Sequence, residues 1–172
     1  KARGPGPGIA VGDALIGLAS SGPHSNGYSL IRRLVADAGL TWDAPAPFAP
    51  DLTTAEALLE PTRIYVKPVL AAIRESGAVK AVAHITGGGL VENLPRVLPA
   101  GIAANIDLST WTAPAVFGWL AHSGRLDTNE LLRTFNAGIG LVLVVDKTNA
   151  DTIMAQLRGQ GETPHIIGEL TA

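Results

Sequence analysis

The stretch Ala14-Leu15-Ile16-Gly17-Leu18-Ala19-Ser20-Ser21-Gly22-Pro23-His24-Ser25-Asn26-Gly27-Tyr28-Ser29-Leu30-Ile31 decides how this chain reads. Ala14 to Ala19 is apolar without alternation, the pattern of a strand covered on both faces. Gly22 and Pro23 stop it, and Ser25 or Asn26 stands where a helix N-cap is needed. Leu30, Ile31, Leu34 and Val35 then recur at helical spacing. A strand–turn–helix of this kind aims backbone N–H groups and the positive end of a helix at one place, and glycine there lets an anion come close. His24 is the single ionisable side chain at the tip, which makes the turn a candidate anion site with a proton-transfer group beside it. On side-chain chemistry alone, an exposed or capping histidine is an equal reading.

Working outward, strands and helices alternate. Gly39 closes the first helix, and the proline-rich run Thr41 to Pro50 reads as a surface excursion. A short helix is expected over Thr53 to Leu59, stopped by Pro61, and a longer one from about Ile64 to Gly77 with Pro68 in its opening turn. Val79 to Ile85 is a strand candidate that runs into Thr86-Gly87-Gly88-Gly89, then a helix over Leu90 to Leu98 that Pro95 should kink or shorten. Ile102 to Leu108 alternates weakly as a strand. Helices follow near Thr112, with Val116, Phe117 and Leu120 inward, and over Thr128 to Thr134, where Asp127 and Glu130 have capping-box spacing. Ile139 to Val145, a β-branched apolar run, is the strongest strand signal. A helix from about Thr148 to Gly159 and a strand over His165 to Leu170 close the chain. This order implies an α/β or α+β fold, a mixed β-sheet with helices packed on it.

The 172 residues suit one domain, and 47% apolar against 16% charged residues make it globular. Thirteen basic and fifteen acidic side chains leave a net charge of −2, no footprint for nucleic acid or an anionic membrane. No apolar run is long enough to span a bilayer, and the start, Lys1 to Gly8, lacks the apolar core of a signal peptide. With no cysteine there is neither a disulfide frame nor a thiolate metal site, and a reducing cytoplasm is the expected home. Met154 is the only methionine, so the sequence reads as the tail half of a longer protein cut at a Gly/Pro stretch.

Neither glycine turn matches a P-loop or a dinucleotide fingerprint, yet two in one domain can face the same sheet edge and collect one ligand. His84, inside a strand, reads as a hydrogen-bonded core histidine, and His122 as a helix-end residue. The four histidines lack metal-ligand spacing, and no carboxylate cluster for a divalent metal appears. Arg63 and Lys67 share a face if the helix already includes Arg63; that pair can hold a phosphate or simply face solvent. Asn136, ahead of Gly138 and Gly140, has turn formation as its plain reading.

Several blocks together resemble one family. Ser20-Ser21-Gly22-Pro23-His24-Ser25-Asn26-Gly27-Tyr28-Ser29-Leu30, Pro61-Thr62-Arg63-Ile64-Tyr65-Val66-Lys67, His84-Ile85-Thr86-Gly87-Gly88-Gly89, Glu92-Asn93-Leu94-Pro95-Arg96-Val97-Leu98-Pro99 and Thr134-Phe135-Asn136-Ala137-Gly138-Ile139-Gly140 stand in the order of the aminoimidazole ribonucleotide synthetases, the phosphoribosylformylglycinamidine cyclo-ligases. The chain is similar to their carboxy-terminal half. The resemblance implies a single carboxy-terminal domain over residues 12–172, with 1–11 a linker remnant and an amino-terminal ATP and metal domain outside this chain. It further implies ATP and Mg²⁺ as cofactors, formylglycinamidine ribonucleotide as substrate, a homodimer, and no activity for this half alone. Carried over position by position, Ser21, Gly22, Ser25, Asn26 and Gly27 would bind substrate or phosphate, with His24 moving a proton or holding a phosphate or amidine. Thr86, Gly87, Gly88 and Gly89 would add a second backbone anion surface, and Arg63, Lys67 and Asn136 match motif positions without distinct jobs. Other ATP-using synthetases share this architecture, and a non-catalytic phosphate-binding or dimer-forming module is the reading from a different class.

Overall fold

Ala14 to Leu18 are all buried because the strand they form, β1 (Ala14–Ala19), is the middle of a five-stranded sheet. The computed structural model describes residues 8–172. After β1 come helix α1 (Tyr28–Asp37), a hairpin of β2 (Pro45–Ala46) and β3 (Ala49–Thr53), then helices α2 (Thr54–Leu58) and α3 (Val66–Ser76). Strand β4 (Val79–His84), helix α4 (Gly89–Asn93), strand β5 (Ala103–Ile106) and helices α5 (Ala115–Gly124) and α6 (Thr128–Thr134) follow. Strand β6 (Ile139–Val145), helix α7 (Ala150–Gly159) and strand β7 (Pro164–Thr171) complete the fold. Of the expected linker remnant, residues 1–7 lie outside the described residues. No helix among the described residues is long and apolar enough to cross a membrane.

The sheet order is β4-β6-β1-β7-β5. The expected class, a sheet with helices packed on it, is the one observed, but strand direction within it differs from the mixed sheet expected. Each of the four pairings is antiparallel. The reason lies in β6, α7 and β7. These make a β–helix–β crossover between two strands running the same way, and β1 occupies the slot between them. Alternation of helix and strand along the chain therefore does not translate into parallel neighbours.

Alternate residues of the central strands feed two cores. Ile16, Leu18, Leu141, Leu143 and Val145 pack under α3 and α7, whose Val69, Ala72, Ile153 and Leu157 close that face. Leu15, Ile139, Val142 and Val144 face the other way, against Leu90, Leu94 and Val97. A third cluster, away from the sheet, joins Ile31, Leu34 and Val35 of α1 to Val116, Phe117 and Leu120 of α5, with Phe135 beside them. The spacing of those residues foreshadowed their inward faces.

Three local expectations change. The proline-rich excursion contains the β2–β3 hairpin, with Pro45 opposite Thr53 and Ala46 opposite Ala49. The first residue of α1 is preceded not by a Ser25 or Asn26 side-chain cap but by Gly27 in the left-handed region, φ 74°. A Cβ on Gly27 would collide with the Phe135 ring, so position 27 needs glycine for conformation and for space. Finally, α3 begins at Val66 with Tyr65 as its N-cap, so Arg63 lies before the helix and shares no helical face with Lys67.

Candidate functional site

The segment from Ser20 to Gly27 leaves the carboxyl end of β1 and is tied to the start of β6 by Asn136. This side chain is completely buried. Its Oδ1 accepts from Ser20 Oγ at 2.9 Å and from the Gly138 N–H at 2.9 Å, while its Nδ2 donates to the Gly22 carbonyl at 2.8 Å. Asn136 therefore positions the loop from beneath, and its amide is directed at protein groups.

His24 is held by the same logic. Its backbone is left-handed, φ 58°, and the residue is only 4% exposed. Its Nε2 accepts the Ser21 N–H at 3.1 Å and, at the long limit of 3.5 Å, the Arg63 N–H. An accepting Nε2 places the proton of the neutral ring on Nδ1, which is buried and hydrogen-bonded to nothing among the described residues. Burial, and then the positive fields of His84 and Arg63, lower the His24 pKa to about 4. At neutral pH the ring is an uncharged staple between the glycine loop and the chain at Arg63. It lies over Gly140, where a Cβ would sit 2.6 Å from His24 Cε1 and run into the Tyr65 hydroxyl. Tyr65 is itself buried, donates to the Ala19 carbonyl at 2.8 Å, and has its phenol pKa raised by burial and then by the Glu162 charge.

The second loop, Thr86 to Gly89, is organised by Asn93. Its Nδ2 donates to the carbonyls of Thr86, Gly87 and Gly89 at 3.2, 3.1 and 2.8 Å, and its Oδ1 accepts from Thr86 Oγ1 and Arg96. Gly89 packs so closely on α6 that a Cβ would overlap the Leu132 carbonyl. Gly87, by contrast, is exposed. A Cβ there would meet only Asn26 Oδ1, at 3.9 Å. The two glycine loops are thus neighbours at one end of the sheet.

The rim comes from the segment before α3. Pro61 accepts from Ser21 Oγ at 2.7 Å, and Thr62 and Ser25 share a hydroxyl–hydroxyl bond at 3.2 Å. Arg63 joins the rim with its guanidinium turned to Glu162, 2.9 Å away, and to the Gly161 carbonyl at 2.7 Å. His84 is exposed rather than a core histidine, because it is the last residue of β4, an edge strand of the sheet. The structure brings together Ser21, Gly22, His24, Ser25, Asn26, Arg63, Gly87 and Asn136. Lys67 stands apart as an exposed residue making no hydrogen bond or ion pair with the other described residues. Asn93, Tyr65, Glu162 and Gly140 were missed as organisers. Asn93, Tyr65 and Gly140 do lie within the family-like blocks, whereas nothing local marks Glu162.

Among the described residues no group of three or more His, Asp and Glu side chains is placed to hold a metal ion. The backbone amides and hydroxyls of the two adjoining turns, open to solvent at Ser25 and Gly87, form a surface that a small anion can approach.

A family model described as "AIR synthase related protein, C-terminal domain" matches residues 10–172. Among solved structures, the fold is similar to a hydrogenase maturation protein HypE, with TM-score 0.59 and 21% identity over 95% of this chain and 45% of that one. HypE of E. coli matches with TM-score 0.55 and 24% identity over 95% and 45%. The thiamine-monophosphate kinase of Stenotrophomonas maltophilia matches with TM-score 0.58 and 16% identity over 98% and 49%. The chain spans about half the length of these structures, and at such identities the likeness is one of fold.

Proposed function

Because the chain belongs to the AIR synthase related C-terminal domain family, we propose that it is the carboxy-terminal half of an ATP-dependent cyclo-ligase. The enzyme converts formylglycinamidine ribonucleotide to aminoimidazole ribonucleotide, with ADP and phosphate released. The observation that carries the reading is the apposition of the two glycine loops, Asn26 against Gly87, beside Arg63 and His84. The family-like blocks quoted above favour the cyclo-ligase within the family.

In this reading the turn of Ser25, Asn26, Thr86 and Gly87, open to solvent at Ser25 and Gly87, binds the substrate's phosphate through backbone N–H groups and hydroxyls. Asn136 and Asn93 hold the two loops in place from below. His24 is a positioning residue: a neutral ring whose Nε2 is occupied by backbone donors orients the loop and does not carry the proton. The reaction phosphorylates the formyl amide oxygen at the expense of ATP, the amidine nitrogen attacks that carbon to close the ring, and phosphate departs with the oxygen. In this reading Mg²⁺ and the ATP phosphates are held mainly by an amino-terminal half, within a homodimer.

The test supplies that half, in cis or in trans, and measures ADP and aminoimidazole ribonucleotide formation from ATP and formylglycinamidine ribonucleotide. Turnover of that substrate, and none of thiamine monophosphate, is the expected result. Turnover of thiamine monophosphate instead would move the protein to a kinase, and binding of phosphate without any turnover would make it a sensing module.

A further inference from the structure

Of the asparagines in this chain, only Asn26 is followed by glycine. Gly27 carries no Cβ, so no side chain there shields its backbone nitrogen from the carboxamide before it. Asn26 is half-buried and within reach of water. The loop's side-chain hydrogen bonds involve Ser20, Ser21, His24 and Ser25, and neither the Asn26 carboxamide nor the Gly27 N–H bonds to another described residue. Every other asparagine lacks this combination. Asn93 and Asn136 are buried and donate their amides to backbone carbonyls. Asn129 and Asn149 precede N–H groups already engaged, Glu130 with Asp127 Oδ1 and Ala150 with the Lys147 carbonyl. Asn105 is exposed, but the β-branched Ile106 follows it.

We propose that Asn26 is a modification site, deamidated through Gly27, and that its conversion switches the glycine loops from accepting an anion to repelling one. The Gly27 nitrogen bonds to the Asn26 side-chain carbonyl carbon, the bond from that carbon to Nδ2 breaks, and Nδ2 leaves as ammonia with the Gly27 amide proton. Water then opens the succinimide at either carbonyl, giving aspartate or isoaspartate, and no oxidant or reductant is needed. The new carboxylate falls where the two loops adjoin, since a Cβ on Gly87 would lie 3.9 Å from Asn26 Oδ1. There it opposes any bound anion. Isoaspartate also lengthens the main chain just before Gly27, whose φ of 74° and closeness to the Phe135 ring fix the entry to α1. The loss of binding rests on the phosphate reading of the loops, whereas the covalent step does not.

The folded ¹⁵N-labelled chain is aged in mildly alkaline buffer, and samples are taken for peptide mass spectrometry, isoaspartate detection and NMR titration with inorganic phosphate. Asn26 should convert at least about tenfold faster than exposed Asn105, the gap expected when glycine rather than a β-branched residue follows. Fresh protein should respond to phosphate at the Asn26 and Gly87 amides. Aged protein and fresh Asn26→Asp should both bind phosphate at least about tenfold more weakly, as a like charge at this distance requires. Asn26→Gln, whose longer side chain disfavours the five-membered ring, should show the same phosphate affinity before and after ageing. Conversion of Asn26 no faster than that of Asn105 would overturn the modification site. Full phosphate affinity in converted protein or in Asn26→Asp would overturn the switch. A fresh chain without any phosphate response overturns the phosphate reading and the switch with it, and leaves the covalent step to be decided by the peptide masses.

Discussion

His24 should make this protein's stability depend on pH in a calculable window. The unfolded chain protonates its histidine near pH 6.5, whereas the buried ring, accepting from Ser21 and flanked by the positive fields of His84 and Arg63, takes a proton only near pH 4. The folded pKa lies below the unfolded one, so as pH falls the unfolded state binds the proton first. The contribution is fully present above pH 6.5, falls away between 6.5 and 4, and is gone below 4. The gap corresponds to about 3 kcal/mol, with a steepest slope of about 1.4 kcal/mol per pH unit. Urea denaturation from pH 7 to pH 4 on wild type and His24→Gln isolates this contribution, because glutamine offers a non-titrating acceptor and every other ionisable group is common to both. Wild type should lose about 3 kcal/mol more than the variant across that range. Imidazole NMR should show an Nδ1–H tautomer with a midpoint well under pH 5 for this ring. A midpoint near 6.5, or parallel pH profiles, would refute the account of His24 as a neutral staple.

Asn136→Ala removes three hydrogen bonds to Ser20, Gly22 and Gly138. It should cost about 3 kcal/mol at roughly 1 kcal/mol per bond, or about 6–12 °C in Tm; a loss under about 1 kcal/mol would contradict the role given to Asn136. Gly140→Ala forces His24 and Tyr65 aside, so it should destabilise by about 1–3 kcal/mol and move the His24 midpoint up towards its ordinary value. Thermal melts and the same NMR titration check both halves of that statement. Asn93→Ala frees the Thr86, Gly87 and Gly89 carbonyls. Hydrogen exchange should then quicken over residues 86–89 while β6 keeps its protection.

Where the pattern of residues is local and repeated, it was legible. The unbroken apolar run of β1 announced a strand buried on both faces, the β-branched run of β6 announced a strand, and Asp127 with Glu130 announced a capping box that is present. Leu34 and Val35 marked the buried face of α1. The β2–β3 hairpin was hidden because each of its strands contains a proline, Pro45 and Pro50, which weaken a strand signal and are tolerated in a small isolated ribbon. The site was half legible. Glycine at 22, 87 and 88 signalled turns, but His24 read the same whether exposed or buried. Its fate depended on Ser21 and Arg63 presenting N–H groups to it, and Arg63 is thirty-nine residues away.

The sequence by itself determined most of the strands and helices, the β2–β3 hairpin aside, and where glycine turns interrupt them, because those preferences act over a few residues. Only the tertiary structure decided that β1 slots between β6 and β7, that Asn26 meets Gly87, and that the His24 ring is neutral and enclosed. Each of these is a contact between distant parts of the chain. Burial, hydrogen bonding and charge there act through space, and no local pattern records them.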